Sequence, residues 1–186
     1  PFAIICGDVG TGKTMVLNAF LDRLPPSHHP IFISNPLVEY RDILKYVAET
    51  LKIEGPDRDV LPLIDKVKEA LIAAREKGHS YFLVIDEAHL LSDRSLDDIR
   101  LLSNIETRDR KLLQVLLVGQ YELSHKLRRP EMRQLRQRIS VNRFLSSLDS
   151  EETLAYIEHR LTLVGSRFAQ CFSPDCLPLI FSLTDG

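Results

Sequence analysis

The sequence predicts a three-layer α/β fold: one sheet of five parallel strands, helices on its faces, and the start of a small α-helical lid after it. Three observations predict it. Short, continuously apolar runs alternate with stretches of helical periodicity, as in sheets buried on both faces. The run Phe2 to Cys6 passes into Gly7-Asp8-Val9-Gly10-Thr11-Gly12-Lys13-Thr14, which matches G-x-x-x-x-G-K-[ST] at every fixed position and opens a helical pattern. The run Tyr81 to Ile85 ends abruptly in two acids, Asp86-Glu87.

In order, Phe2 to Cys6 is the first strand, and Met15 to Leu24 has helical spacing. Ile31 to Ser34 makes a second strand, stopped by Asn35-Pro36, where proline denies a ladder donor; His28-His29 before it reads as loop. A helix from about Tyr40 to Leu51 is broken by Glu54-Gly55-Pro56-Asp57. Val60 to Lys77 then carries Leu63, Val67, Leu71 and Ala74 on one face, ends at Gly78, and delivers the chain to the third strand, Tyr81 to Ile85. Ser95 to Thr107 is helical through Leu96, Ile99, Leu102 and Ser103. Leu112 to Val118 is the fourth strand, ended by Gly119-Gln120. An arginine-rich helical region, Glu131 to Arg138, leads to Ser140 to Phe144 as the fifth. From Asp149 the pattern is helical: Asp149 and Glu152 form a capping box, Leu154, Ile157, Leu161 and Val164 an apolar face, and Cys176 to Leu183 a second helix. Residues 1–146 are therefore expected to form the core, and residues 147–186 the first part of the lid.

Composition narrows the function classes. The chain has 186 residues and a formal charge of −2, which gives no global attraction to nucleic acid or anionic membrane. No run approaches a membrane span, and no charged, then apolar, then small-residue leader is visible. Cys6, Cys171 and Cys176 lack metal-ligand spacing and read as reduced thiols of a cytosolic domain, with Cys6 in the core. The six histidines form no ligand pair at a recognised spacing. A start without Met and a stop at Gly186 after an apolar helical pattern are expected of a piece of a longer protein.

The motifs specify a nucleoside triphosphate site. Gly7, Gly10 and Gly12 let the backbone N–H groups turn inward on phosphates, with Asp8, Val9 and Thr11 completing the loop and Met15 continuing the helix whose N-terminus adds positive charge. Lys13 is expected to reach the β- and γ-phosphates, and the Thr14 hydroxyl to ligate Mg²⁺. Asp86, at a strand tip, can hold the Mg²⁺ water shell opposite Thr14, and Glu87 is the candidate for polarising the attacking water. Gln120, at the tip of the neighbouring strand, can reach the γ-phosphate or that water; otherwise it is an ordinary strand-ending polar residue. Arg128, Arg129, Arg133, Arg136, Arg138 and Arg143 form a charge run, ordinarily a solvated face or a nucleic-acid contact. Arg136 and Arg138, however, immediately precede the fifth strand, where a neighbouring subunit's γ-phosphate could meet them; Arg138 is the first candidate for an arginine finger acting in trans.

The string from Leu112 to Gln120, followed by Glu122-Leu123, Leu127, Pro130-Glu131 and Leu135-Arg136-Gln137-Arg138-Ile139, resembles the AAA+ ATPases of the general secretion pathway protein A family. Asn35-Pro36, Asp86-Glu87-Ala88-His89-Leu90-Leu91, Asn104 to Thr107, and Tyr156-Ile157 through His159-Arg160-Leu161 extend the resemblance over nearly the whole chain. It implies a P-loop AAA+ module that uses ATP and Mg²⁺, in which Lys13, Thr14, Asp86, Glu87 and Gln120 take the Walker A, Walker B and sensor 1 roles and Arg138 the finger position. It also implies a cytoplasmic domain of an inner-membrane-anchored protein, one that works with other copies of itself and an inner-membrane secretion partner to help a secretin through the cell wall. Tyr121 stands where many relatives carry proline, a change a turn should tolerate. The family's lid arginine would fall just after Gly186, so weak nucleotide binding and poor turnover are expected.

Three functions remain open on the residues: an ATP-driven assembly motor for secretion or pilus biogenesis, a DNA-associated helper ATPase of the transposition type, and a nucleotide-gated scaffold with vestigial hydrolysis, which the intact Glu87 disfavours. A helicase reading of Asp86-Glu87-Ala88-His89 is weaker, because Gly119-Gln120 stands where a helicase would carry Ser-Ala-Thr; His89 then reads as a helix-start residue.

Overall fold

The computed structural model describes residues 2–34, 36, 39–53, 59–107, 111–173 and 175–184. Asn35, the break at Glu54-Gly55-Pro56-Asp57, and Gly186 lie outside them. The chain divides into two compact units, Pro1–Leu145 and Ser146–Gly186.

In the first unit, strands β1 (Phe2–Gly7), β2 (His28–Ile33), β3 (Ser80–Ile85), β4 (Leu113–Gly119) and β5 (Ile139–Leu145) form one sheet in the order β2-β3-β4-β1-β5. Every pairing is parallel, so all five C-terminal tips lie at one edge. The helices between them are α1 (Lys13–Asp22), α2 (Tyr40–Thr50), α3 (Val60–Glu76), α4 (Asp93–Leu102), α5 (Tyr121–Arg128) and α6 (Arg133–Arg136), with 3₁₀ turns at Ala88–Leu90 and Pro130–Met132.

Strand alternation sorts the core into two layers. Phe2, Ile4, Cys6, Leu83, Ile85, Leu113, Val115 and Leu117 face the buried stripes of α2, α3, α4 and α5. Val84, Leu116 and Val118 face the other way, onto Leu17 of α1. Burial on both sides is why the inner strands read as unbroken apolar runs, each fully buried Leu or Ile contributing about 1.5–3 kcal/mol. The edge strand β5 is different, with Ser140 to Phe144 all exposed.

Several expectations need correction. His28 and His29 are not loop but the first two residues of β2, paired with Ser80 and Tyr81. As an edge strand, β2 accommodates these polar residues and Pro30, whose missing donor is not needed on the open side. Helix α4 begins at Asp93, capped by the Ser92 side chain accepting from the Ser95 N–H at 3.0 Å, and ends at Leu102 rather than Thr107. Its end is set by Ser103, whose hydroxyl donates to the Arg100 carbonyl at 2.6 Å, while the Ile105 carbonyl accepts from the Leu112 N–H. Helix α5 occupies Tyr121–Arg128, which carried no element in the sequence reading. Tyr121 is thus the first residue of a helix rather than a turn residue, a position where proline is favoured and tyrosine permitted. The helical region expected over Glu131 to Arg138 resolves into a 3₁₀ turn, Pro130–Met132, and the single turn α6, which ends at Arg136.

The second unit contains α7 (Ser150–Thr162), α8 (Phe168–Cys171) and α9 (Cys176–Thr184). The Asp149 and Glu152 side chains each accept the other's backbone N–H, at 2.8 and 3.0 Å, which makes the capping box. Glu158 accepts the Phe168 N–H, fixing α8 on α7, and Phe168 is buried. Val164 is 76 % exposed and lies beyond the end of α7, so it is not part of the apolar face.

Candidate nucleotide site

The site is built at the C-terminal edge of the sheet, from the tips of β1, β4 and β3 in spatial order. Strand β4 lies between the other two, with Gly119 opposite Cys6 and Leu117 opposite Ile85. The turn after β1 and the acids after β3 therefore face each other across Gln120, about two strand spacings or ~9.5 Å apart.

The loop from Gly7 to Gly12 is shaped by its glycines. Gly10 and Gly12 have φ of 85° and 80°, the left-handed region, and a Cβ at either would point into open space. Gly7 is held for a different reason: a Cβ there would lie 2.6 Å from Thr11 Oγ1 and 2.8 Å from the Leu145 carbonyl. Asp8 organises the turn. Its carboxylate accepts the Val9 N–H at 2.9 Å, and its carbonyl accepts the Thr11 hydroxyl at 2.9 Å and Lys13 Nζ at 2.7 Å. Lys13, only 8 % exposed, thus already lies folded over the loop. Gly12 offers no side-chain cap to α1 and no acid stands in its first turn, so the helix N-terminus keeps its positive end for an anion. Thr14 and Met15 follow on exposed positions of that turn. Below the loop, burial pushes the Cys6 thiol above its ordinary pKa, against the opposing effects of a Ser124 backbone hydrogen bond and the Lys13 charge. It remains a protonated core group.

Because the Gly7 clash involves backbone on one side, Gly7→Ala is expected to cost about 1–3 kcal/mol of overpacking, lowering the melting temperature by about 3–10 °C and weakening nucleotide binding. Thermal denaturation with and without ATP measures both.

At the tip of β3, Asp86 is 7 % exposed and its Oδ1 accepts the Glu87 N–H at 2.8 Å. Glu87 takes φ 51°, ψ 33°, a left-handed conformation uncommon outside glycine, and so turns the chain sharply into the 3₁₀ turn. Its side chain is 41 % exposed, yet the Oε2 atom is buried and accepts no hydrogen bond; the His89 Nδ1 lies 3.3 Å away, near but poorly aligned. Gln120 caps α5, and its backbone N–H donates to His89 Nδ1 at 3.4 Å. Lys126, on α5, donates to the carbonyls of His89 and Leu91 at 2.6 and 2.7 Å. From the sequence His89 reads only as a helix-start residue, and Lys126 has no reading there. Only the contact between segments 31 and 37 residues apart reveals them.

The donor set suits a Mg²⁺-bound triphosphate. Thr14 and Asp86 present one hydroxyl and one carboxylate, hard oxygen ligands of the kind Mg²⁺ takes alongside water and substrate phosphates. Among the described residues no group of three or more His, Cys, Asp or Glu side chains forms a protein-only metal cage. When bound, the ion would neutralise phosphate charge.

The two arginines lie elsewhere. The Arg138 carbonyl accepts the Phe2 N–H at 3.0 Å at the N-terminal end of the sheet, while the loop follows the C-terminal end of β1, about 17 Å away by strand rise. Arg138 cannot serve its own loop. Its guanidinium donates to Ser103 Oγ at 2.8 Å, to the Arg100 carbonyl at 3.3 Å and to Asn104 Oδ1. Close by, the Arg100 hydrogen bond holds the Asp97 carboxyl below its ordinary range. Arg136, exposed, donates to the Leu127 and Arg128 carbonyls and so closes the C-terminus of α5.

Residues 1–127 match the family model described as an AAA domain. Over all 186 residues the chain is 36 % identical to general secretion pathway protein A of Aeromonas hydrophila. The chain belongs to the general secretion pathway protein A family of AAA+ ATPases. It spans 34 % of that relative's length. AAA+ family membership makes it a nucleotide-binding protein of an ATP-hydrolysing class. Solved structures agree on the fold. The Aeropyrum pernix ORC2 protein, solved as ADPNP-ADP complexes, aligns with a TM-score of 0.68 at 19 % identity over 87 % of this chain and 46 % of that one. The Walker-type ATPase of Pyrococcus abyssi aligns at 0.64 and 17 % identity over 100 % and 59 %. The Aeropyrum pernix ORC1 protein in complex with DNA aligns at 0.64 and 18 % identity over 98 % and 48 %. These likenesses establish the AAA+ architecture of the five-stranded sheet.

Proposed function

We propose that this AAA+ module binds Mg²⁺-ATP through the Gly7–Met15 loop and hydrolyses it with Glu87 as the carboxylate that activates water. Asp86 and Thr14 hold the ion, Lys13 holds the phosphates, and Gln120 reads the γ-phosphate from the tip between them. The observation that carries this reading is the order of the strand tips, which brings the loop, Gln120 and Asp86-Glu87 to one edge in the sequence the chemistry requires.

The site is completed by a second copy. Arg138 lies a strand's length from its own loop, so a role on a phosphate requires a neighbour's nucleotide. Arg138→Ala is expected to lower turnover by about 10³-fold at unchanged ATP affinity. Mixed with Glu87→Gln, it should regain activity, because the second variant supplies the missing guanidinium to sites that still have Glu87. Absence of recovery on mixing removes the trans role, and a collapse in melting temperature assigns Arg138 to clasping Ser103 and Asn104 instead.

The load is the assembly of a cell-envelope secretion machine, with the module on the cytoplasmic side, working with an inner-membrane partner. The support is the whole-chain identity to general secretion pathway protein A. Residues 147–186 are then the first part of the α-helical lid. A DNA-associated helper ATPase is the second reading, favoured by the exposed Arg128, Arg133 and Arg143. Against it, Arg129 pairs with Asp93 at 2.7 Å, and Arg136 is engaged by the carbonyls that end α5. Duplex binding measured between low and moderate salt separates the two: the secretion reading expects none at low salt, and steeply salt-dependent binding favours the DNA reading.

A further inference from the structure

His89 stands between the two groups the proposed chemistry depends on. The left-handed Glu87 throws the chain into the turn Ala88–Leu90, closed by the Leu90 N–H donating to the Glu87 carbonyl at 2.9 Å. Lys126 Nζ then grips the turn from α5 through the carbonyls of His89 and Leu91. From the other side Gly119 presses against its backbone, so closely that a Cβ there would lie 3.1 Å from the His89 amide. The turn is therefore fixed, and the imidazole it carries is 12 % exposed. Its Nδ1 lies 3.3 Å from Glu87 Oε2 and 3.4 Å from the Gln120 N–H, and Oε2 is a buried oxygen with no hydrogen bond of its own.

One ring nitrogen cannot satisfy both neighbours at once. With its proton on Nε2, the imidazole accepts the Gln120 N–H at Nδ1 and gives nothing to Glu87. With its proton on Nδ1, and a small turn of the ring or the carboxylate to align the pair, it donates to Oε2 and releases the Gln120 amide. Neither state changes the net charge of the ring.

We propose that His89 is a positioning residue that couples Glu87 to Gln120 through this shared nitrogen. In the first state the tip of β4 is held and the carboxylate is left to rotate. In the second the carboxylate is anchored through Oε2, which orients Oε1 toward the water, and the Gln120 backbone is freed to follow the γ-phosphate. A change at the sensor is thereby tied to the orientation of the base. The inference rests on the proposed role of Glu87, and the control below separates the two.

The test compares His89→Ala, His89→Asn and His89→Gln with wild type and Glu87→Gln, measuring kcat and KM for ATP on the full chain. Asparagine places an amide atom at the Nδ1 position; glutamine reaches past it to that of Nε2. His89→Ala is expected to lower kcat by about 10–100-fold with KM unchanged, as loss of an orienting partner does elsewhere. His89→Asn should return to within about threefold of wild type, and His89→Gln should remain near the alanine variant. If His89→Ala does not fold, the Asn and Gln pair carries the comparison alone. Equal kcat in that pair, or a change confined to KM, overturns the proposal. Wild-type kcat in His89→Ala beside a dead Glu87→Gln overturns it while leaving Glu87 in place; undiminished turnover in Glu87→Gln overturns both.

Discussion

Glu87→Gln is expected to bind ATP as tightly as wild type and hydrolyse it about 10²–10⁴-fold more slowly, the range a positioned general base contributes. The substitution keeps size and shape and leaves the backbone free to adopt the same turn, where the Glu87 N–H donates to Asp86 Oδ1. What it removes is basicity. An amide cannot take the proton of the attacking water, and so only the chemical step suffers. Titration with a fluorescent ATP analogue measures binding, and phosphate release at saturating Mg²⁺-ATP measures turnover. A variant that turns over normally rejects Glu87 as the base.

Lys13→Ala is expected to abolish useful binding, weakening ATP affinity by about 10²-fold. The ammonium makes charge-assisted hydrogen bonds, each contributing about 1.5–3 kcal/mol, and Lys13 is the single cationic side chain from Gly7 to Met15. The fold should survive, because Nζ donates to a carbonyl of the loop itself, that of Asp8. The two effects separate in a melting experiment. Ligand at 100 times its dissociation constant stabilises the folded state by about 2.7 kcal/mol, which raises the wild-type melting temperature by about 5–10 °C. The variant should melt near the unliganded wild type and show no such rise at the same ATP concentration. A full shift in the variant would mean that the nucleotide is held elsewhere.

How much of this was legible depended on how local each cause is. The inner strands were readable because burial on both faces forces continuous apolar runs, as in Val115 to Val118. The start of β2 was not, because an edge strand tolerates His28, His29 and Pro30. Helix α5 escaped because it is eight residues long and buries only Leu123, Ser124 and Leu127, too few for a periodic signal. The end of α4 was misplaced because Ile105 is apolar at helical spacing yet enters the core after the chain has already turned. In the site, the spacing of glycines, lysine and acids marked the loop and strand tips, since each motif is local. The contacts of His89 with Gln120 and of Arg138 with Ser103 cross 31 and 35 residues of chain. Nothing in the local sequence encodes them.

The measurement that tests the central claim most directly is the identity of the nucleotide recovered from the chain after incubation with Mg²⁺-ATP. Recovery of ADP, with γ-phosphate released to solution and with intact ATP recovered from Glu87→Gln, is the result predicted here. Intact ATP recovered from the wild-type chain over the same time would contradict it.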